Sequence, residues 1–220
     1  MRFCILIPAY NEEKKIEKTL RKVMEYVPPE DILVVDDGSR DRTREIAEKL
    51  GVNVVSHEKN MGKGMAHRTG FRWVCEHGYD AAITMDADGQ HKPEEIERFL
   101  HAGEYDLVIG KRDITIRNSP VVRYWTNRTT SLITSLLAGV RVSDSQCGYR
   151  LIKKAVMEKV PLTTTRFQTE TEIIVKAARM GFRIGEVPIS TVYEPGRKSR
   201  INPFIDTLRF LKLAIRLLLL

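Results

Sequence analysis

The chain has little cysteine: Cys4, Cys75 and Cys147 are odd in number, far apart and not part of any CxxC pair. That argues against a zinc-finger spacing, a dithiol redox motif or a disulfide framework, and it reads as reduced, buried thiols of a cytosolic protein. No uninterrupted apolar run approaches the roughly 18 residues that a membrane span needs. Met1-Arg2 leads straight into an apolar stretch too short for a signal-peptide core. Two nucleotide-loop signatures are also missing. The first apolar stretch ends in Pro8-Ala9-Tyr10-Asn11 rather than in GxGxxG. Asn60-Met61-Gly62-Lys63-Gly64 has neither the GxxxxGK spacing nor the Ser/Thr of a phosphate loop. Internal repeats, low-complexity tracts and a clear linker are absent too.

What the chain does have is enough apolar residue for one sizeable core, 42% of 220 residues. Its 36 Lys+Arg against 29 Asp+Glu leave a net charge of +7, which suits anionic ligands or an anionic membrane face. Nucleic acid is not expected, because there is no zinc-finger spacing and no aromatic-basic platform.

Phe3-Cys4-Ile5-Leu6-Ile7, halted by Pro8, predicts a buried parallel strand. Further strands are expected at 32–35, 52–55, 106–109 and a stretch ending at Asp86. Helices are expected over about 12–26, up to about 50, around 63–77, at 93–101 and at 120–137. Asn11 is read as the cap of the first, with Glu12 and Glu13 favoured by its dipole. This alternation predicts an α/β fold with a mainly parallel sheet and helices on both faces. Ligands of such sheets bind beyond the carboxyl ends of the strands. The unusual polar residues fall there: Ala9-Tyr10-Asn11, Asp36-Asp37-Gly38-Ser39, Asp86-Ala87-Asp88 and Gly110-Lys111-Arg112.

In Met85-Asp86-Ala87-Asp88-Gly89-Gln90-His91, residues two apart on an extended chain point to one side, so both carboxylates can face one ion. Hard oxygen donors suit Mg2+ or Mn2+, which grip diphosphate. Asp-x-Asp by itself is common in solvated turns; four such coincidences at strand ends are not.

The ordered set Pro8–Glu13, Val35–Thr43, Asn60–Gly64 and Asp86–His91 resembles the family 2 glycosyltransferases, which have the GT-A fold and use nucleotide-activated sugars. Within the family the likeness is to polyprenyl-phosphate hexose synthases of the dolichyl-phosphate mannose synthase type, and it covers about residues 3–200. The resemblance implies that Pro8, Ala9, Tyr10 and Glu12 line the base and ribose pocket, with Asp37 and Asp36 as hydrogen-bond acceptors. Lys63 would neutralise a phosphate, and Asp86 and Ala87 would contact the nucleotide. Asp86, Asp88 and Gln90 would hold the metal, while His91 supports the turn. Asp88, Arg112, Asp144 and Glu170 would be the catalytic set, with Gln146 a weaker candidate. Arg112, Arg123 and Arg128 would hold the acceptor phosphate, for which a guanidinium fork is well shaped. Arg197, Lys198 and Arg200 would fold over the diphosphate. For Asp36-Asp37-Gly38-Ser39, Arg128, Glu170 and the basic loop, capped turns or solvated charge remain the bland alternatives.

The acceptor is read from chemistry. Trp73 and Trp125 do not sit in the Gln-x-x-Arg-Trp motif of transferases that act on glycan hydroxyls. A phosphate nucleophile is already ionised and needs orientation rather than a strong base. Residues 201–220 form the second unit: Asp206, Arg209, Lys212 and Arg216 make one polar stripe on an otherwise apolar helix, suited to a membrane interface or to packing on the core or a partner. The expectation is a metal-dependent, inverting transfer of a hexose from a GDP-mannose or UDP-glucose type of donor to polyprenyl phosphate. It would take place peripherally, on the cytoplasmic face of a membrane, with a membrane partner or a second copy of the chain as further possibilities. Rivals are a transferase acting on a sugar hydroxyl, with Asp144 or Glu170 as base, an idle nucleotide- or membrane-binding protein, and a sugar nucleotidyltransferase.

Overall fold

The computed structural model describes residues 1–115, 119–190 and 203–219. Seven strands among them form one sheet: β1 (Phe3–Ala9), β2 (Ile32–Asp36), β3 (Asn53–Ser56), β4 (Ala81–Thr84), β5 (Leu107–Arg112), β6 (Arg150–Lys153) and β7 (Ile184–Ile189). Their order is β3-β2-β1-β4-β6-β5-β7. All neighbours are parallel except β6, which runs antiparallel to both β4 and β5. The helices are α1 (Ile16–Met24), α2 (Thr43–Lys49), α3 (Lys63–Glu76), α4 (Ile96–Leu100), α5 (Val121–Ala138), α6 (Lys154–Lys159), α7 (Thr169–Arg179) and α8 (Pro203–Leu218).

The continuous apolar runs explain the centre of the sheet. Ile5, Leu6 and Ile7 of β1 and Ile32 to Val35 of β2 are fully buried, so these strands are covered on both faces. Each such side chain contributes about 1.5–3 kcal/mol by leaving water. Strand β1 does not stop at Pro8, as the sequence suggests, but runs on to Ala9. Ala9 O accepts from Asp37 N, which turns the Pro8 nitrogen towards β4, and β4 pairs with β1 only as far as Leu6. No ladder donor is therefore lost at the proline.

Chain order reverses between β1 and β4, and the crevice at such a switch point is where ligands bind in these sheets. Ala9, Asp36 and Arg112 end their strands at this edge, and Asp86 follows β4 by two residues. Because β6 is antiparallel, its entry at Arg150 lies on the same edge and brings the preceding loop there too.

Two local expectations are corrected. Asn11 is not a helix cap: it has φ 51°, and α1 starts only at Ile16 after a turn closed on Glu12 O. Its amide donates to Ser39 Oγ and its Oδ1 accepts from Arg40 N, both at 2.9 Å, so it joins the loops after β1 and β2. The sequence reading also stopped short of β6 and β7. Strand β6 (RLIK) is short with charged ends; β7 (IGEVPI) contains Gly185 and Pro188, which read as turn residues. Pairing only with β5 makes β7 an edge strand, where proline is tolerated.

Helix α8 docks on α5 and α7, burying Phe210, Leu213 and Leu217. Arg179 ties their ends by donating to the carbonyls of Leu137 in α5 and Leu217 in α8.

Candidate active site

The loops after β1 and β2 hold each other before they hold anything else. The Glu12 amide donates to Thr43 Oγ1 at 2.7 Å and the Glu13 amide to Asp41 Oδ2 at 3.1 Å. This fixes half-buried Tyr10 and Glu12, after Pro8 and buried Ala9, beside the end of β2. Asp36 and Asp37 are both buried there. Asp36 Oδ1 accepts from Ser39 N at 3.3 Å. The Asp37 carboxylate is fully engaged within the chain. Its Oδ1 meets Met61 N and His57 Nδ1, and its Oδ2 meets Gly62 N, all at 2.8 Å. In this structure Asp37 thus sets the loop that leads to Lys63, a role its expected contact with a base did not include.

Gly62 and Gly64 let that loop approach the chain itself. A Cβ on Gly62, at φ 95°, would lie 2.4 Å from Thr165 O, and one on Gly64 would lie 2.0 Å from Thr169 Oγ1. Thr165 O accepts from the amides of Gly64 and Met65, docking the start of α3 against the segment before α7. These two glycines therefore serve close packing against the protein's own loop.

Lys63, the first residue of α3, places its Nζ 2.6 Å from Asp86 Oδ1 and 2.6 Å from Glu170 Oε1. Burial would raise the Asp86 pKa, but the Lys63 ammonium overrides it and holds the carboxyl well below the usual range. Burial likewise works against the Lys63 charge, and Asp86 and Glu170 together push its pKa up instead. Asp86 N donates to His91 Nδ1 at 3.1 Å, so His91, stacked on Tyr149, supports the turn as the sequence suggested. Asp88 Oδ1 accepts from Gln90 N at 2.9 Å. Ala87 is buried, its carbonyl held by Thr19 Oγ1 of α1.

Arg112 ends β5 and meets Asp144 edge to edge, Nε to Oδ2 at 2.6 Å and Nη2 to Oδ1 at 2.8 Å. Asn127 Nδ2 of α5 closes Asp144 Oδ1 at 2.7 Å. Burial would raise the Asp144 pKa, yet Arg112 and Asn127 keep it lowered. Arg123 lies one turn before Asn127 on the same side of α5 and is half-buried, whereas Arg128 is exposed among Trp125 and Leu132. Gln146 approaches Ser145 and Thr171 only at 3.4–3.5 Å. Arg197, Lys198 and Arg200 lie outside the described residues, as does the side chain of Asp206.

Two contributors went unassigned in the sequence. Arg150 is 2% exposed and donates to the carbonyls of Cys147, Ser145 and Glu170, binding the loop before β6 to α7. Gly148 sits against the ion pair: a Cβ there would lie 3.0 Å from both Asp86 Oδ1 and Lys63 Nζ. Both follow the candidate Gln146 within four residues; the signal for Arg150 is an arginine opening an apolar strand. Beneath them, a cavity of about 10 Å³, room for one water, is lined by His67, Thr84, Gly148, Arg150 and Glu170. His67 Nε2 is buried without a hydrogen-bond partner, and burial pushes the His67 pKa down to about 3, so the ring is neutral.

The donor chemistry fits a hard divalent cation. Asp86, Asp88 and Gln90 offer carboxylate and amide oxygen, and the acids Asp86 and Glu170 outnumber Lys63. Among the described residues no three His, Cys, Asp or Glu side chains already form a cage. A magnesium ion, where one binds, is held by one or two carboxylates together with substrate phosphates.

Comparison with known proteins agrees with this architecture. Residues 4–161 match the sequence model of the family described as Glycosyl transferase family 2. The undecaprenyl-phosphate mannosyltransferase of Micrococcus luteus is 36% identical over 214 residues, 92% of this chain and 88% of that one. The UDP-N-acetylglucosamine–dolichyl-phosphate N-acetylglucosaminyltransferase of Methanococcus voltae is 34% identical, covering 86% of this chain and 85% of its own. Glucosyl-3-phosphoglycerate synthase of Mycobacterium tuberculosis, solved in complex with UDP, superposes with a TM-score of 0.74 over 99% of this chain and 79% of that one, at 20% identity. A second structure of that enzyme, with Mn2+, UDP and glucosyl-3-phosphoglycerate, gives 0.72 at 21%. At such identity the likeness carries the fold alone. The family match and the relatives above 30% carry the rest: this chain belongs to glycosyl transferase family 2 and is a glycosyltransferase of GT-A fold.

Proposed function

We propose that the protein transfers a hexose or N-acetylhexosamine from a nucleoside diphosphate sugar to a polyprenyl phosphate at a membrane surface, with inversion at the anomeric carbon. The observation that carries this reading is the state of the two candidate bases. Asp144 is held by Arg112 and Asn127, Glu170 by Lys63, and Asp144 has a depressed pKa. A carboxylate so engaged is a poor acceptor of a proton from a sugar hydroxyl. A phosphate needs no such base, and Arg112, aimed by Asp144, offers it a positioned positive charge.

In this reading Pro8, Ala9, Tyr10 and Glu12 border the nucleoside, while Asp37 places the loop bearing Lys63. Asp86, Asp88 and Gln90 hold Mg2+ or Mn2+, which when bound offsets charge on the leaving diphosphate as a Lewis acid. Lys63 adds a second cation there, and Arg112 with Arg123 orients the acceptor phosphate on the opposite face of the sugar. Relatives acting on mannose and on N-acetylglucosamine share this chain's similarity, so the reading leaves the sugar open.

The outer surface supports a membrane-bound acceptor. Helix α5 exposes Val122, Trp125, Leu132 and Leu136, at intervals of three, seven and four residues, and α8 exposes Leu208, Leu211, Ile215 and Leu218, at intervals of three, four and three. Neither 121–138 nor 207–219 contains an acidic residue, and Arg128, Lys212 and Arg216 are exposed beside the apolar positions. Apolar stripes edged with cations suit an anionic lipid interface. Among the described residues no helix is long and apolar enough to cross a membrane. The test is to incubate the protein with radiolabelled UDP- and GDP-sugars, Mg2+ or Mn2+, and a short polyprenyl phosphate. Chelator-sensitive label in the organic phase is expected; donor consumption without lipid label overturns the acceptor assignment.

A further inference from the structure

Lys63 stands where a cation is wanted twice over. Its Nζ is 2.6 Å from Asp86 Oδ1, an oxygen needed for the divalent ion, and 2.6 Å from Glu170 Oε1. The side chain is 19% exposed, so the ammonium has little water around it and depends on these two carboxylates. The backbone amides that follow Lys63 in α3 offer no substitute. Those of Gly64 and Met65 already donate to Thr165 O, and that of Ala66 to Gly62 O. A diphosphate arriving at this helix start is therefore met by the Lys63 side chain rather than by the bare amides that usually bind anions there. A Cβ at position 148 would lie 3.0 Å from both Asp86 Oδ1 and Lys63 Nζ, so Gly148 keeps that side open for the pair to part.

We propose that Lys63 is a positioning residue that pairs with the ligand oxygen of Asp86 and yields it when cation and nucleotide diphosphate bind together. This inference rests on the donor and metal reading above. Lys63 keeps Glu170 as one partner throughout and exchanges Asp86 for a phosphate oxygen. A divalent ion alone must displace the ammonium and leave it with one carboxylate; a nucleotide alone must draw it from Asp86 and strand that charge. Each ligand removes the obstacle to the other, so the two bind with positive cooperativity, and the coupling is reciprocal.

The test uses the full-length protein and calorimetric titration of Mn2+, of UDP or GDP, and of each in the presence of the other. Wild type should show a coupling of about tenfold or more, within the range usual for linked sites. Lys63→Met should bind Mn2+ alone about fivefold tighter, bind nucleotide alone more weakly, and keep only the coupling that direct contact between ion and diphosphate supplies, about fivefold below wild type. A crystal structure of the wild-type protein with Mn2+ and nucleotide gives a check that needs no variant: Lys63 Nζ should lie on phosphate and Glu170, away from Asp86. Unchanged coupling in a folded Lys63→Met protein, or Lys63 still paired with Asp86 in the ternary complex, overturns this inference alone. If wild type binds neither UDP nor GDP with any metal, the donor reading falls and takes this inference with it.

Discussion

Arg112 and Asp144, 32 residues apart, form a two-bonded ion pair at the mouth of the sheet, with Nε–Oδ2 2.6 Å and Nη2–Oδ1 2.8 Å. Asp144 is 1% exposed, so its charge is tolerable only because Arg112 and Asn127 answer it. The pair joins β5 to the loop that four residues later brings Gly148 against Asp86. Asp144→Asn preserves the shape but loosens the guanidinium. Its kcat should fall about 100-fold, the cost of misplacing a catalytic group by an ångström, while nucleotide affinity changes less than about twofold. Arg112→Ala combined with Asp144→Asn should be no worse than Arg112→Ala alone, because the two act as one unit. Additive losses in steady-state kinetics would show that Asp144 has an independent role, such as that of a base.

Gly148→Ala adds one methyl group 3.0 Å from Asp86 Oδ1 and Lys63 Nζ. The neighbouring carboxylate and ammonium must shift, so kcat/KM should drop about tenfold or more through misplaced charge. The change also shrinks the increase in Tm that nucleotide and Mn2+ produce together. A Gly148→Ala protein with wild-type kcat/KM contradicts the proposed position of the diphosphate.

Glu172 is 0% exposed and accepts from the amides and hydroxyls of Thr163 and Thr164 and from Lys176. Burial alone would raise its pKa, but these donors hold it at about 2 against an ordinary 4.5. A folded pKa below the unfolded one gives stability that is complete above about pH 5 and is lost as pH falls from 4.5 towards 2. The contribution is on the order of 2–3 kcal/mol. Urea denaturation should therefore show wild type more stable than Glu172→Gln at pH 7, with the gap reduced to about half by pH 3 and still shrinking towards pH 2. A gap that is independent of pH contradicts the assignment.

The exposed stripes of α5 and α8 give a separate prediction. Trp125→Glu combined with Ile215→Glu removes two apolar contacts and adds negative charge where Trp125 is 56% and Ile215 61% exposed. Tm should stay within about 2 °C, since exposed substitutions cost little. Flotation with anionic vesicles, expected for wild type and weakened by salt, should fall several-fold. Equal flotation of the variant would place the membrane contact elsewhere.

Much of the parallel half of the fold was legible, because strands buried on both faces write themselves as unbroken apolar runs such as Phe3–Ile7 and 32–35. Motif positions at strand ends then located the site edge. The antiparallel insertion was not legible: Arg150 opens β6 looking like a surface residue, and only the three carbonyls around it in three dimensions explain its burial. The sequence pointed to Asp37 for the nucleotide and to Asp144 and Glu170 for catalysis, but it does not display their partners. His57, Met61, Gly62, Arg112, Asn127 and Lys63 come from distant segments, and they decide what those acids are available to do. Asn11 looked like a cap by residue type, whereas its left-handed backbone and long-range hydrogen bonds serve the neighbouring loop.

The central claim is that the nucleophile is a phosphate that needs no protein base. It is tested most directly by offering the protein, with Mn2+ and a labelled donor, a short polyprenyl phosphate and the matching polyprenol in parallel. The account predicts label on the phosphate only, as a glycosyl phosphate released by mild acid, with no transfer to the alcohol. Label on the alcohol or on a glycan hydroxyl, abolished by Asp144→Asn or Glu170→Gln, would contradict it.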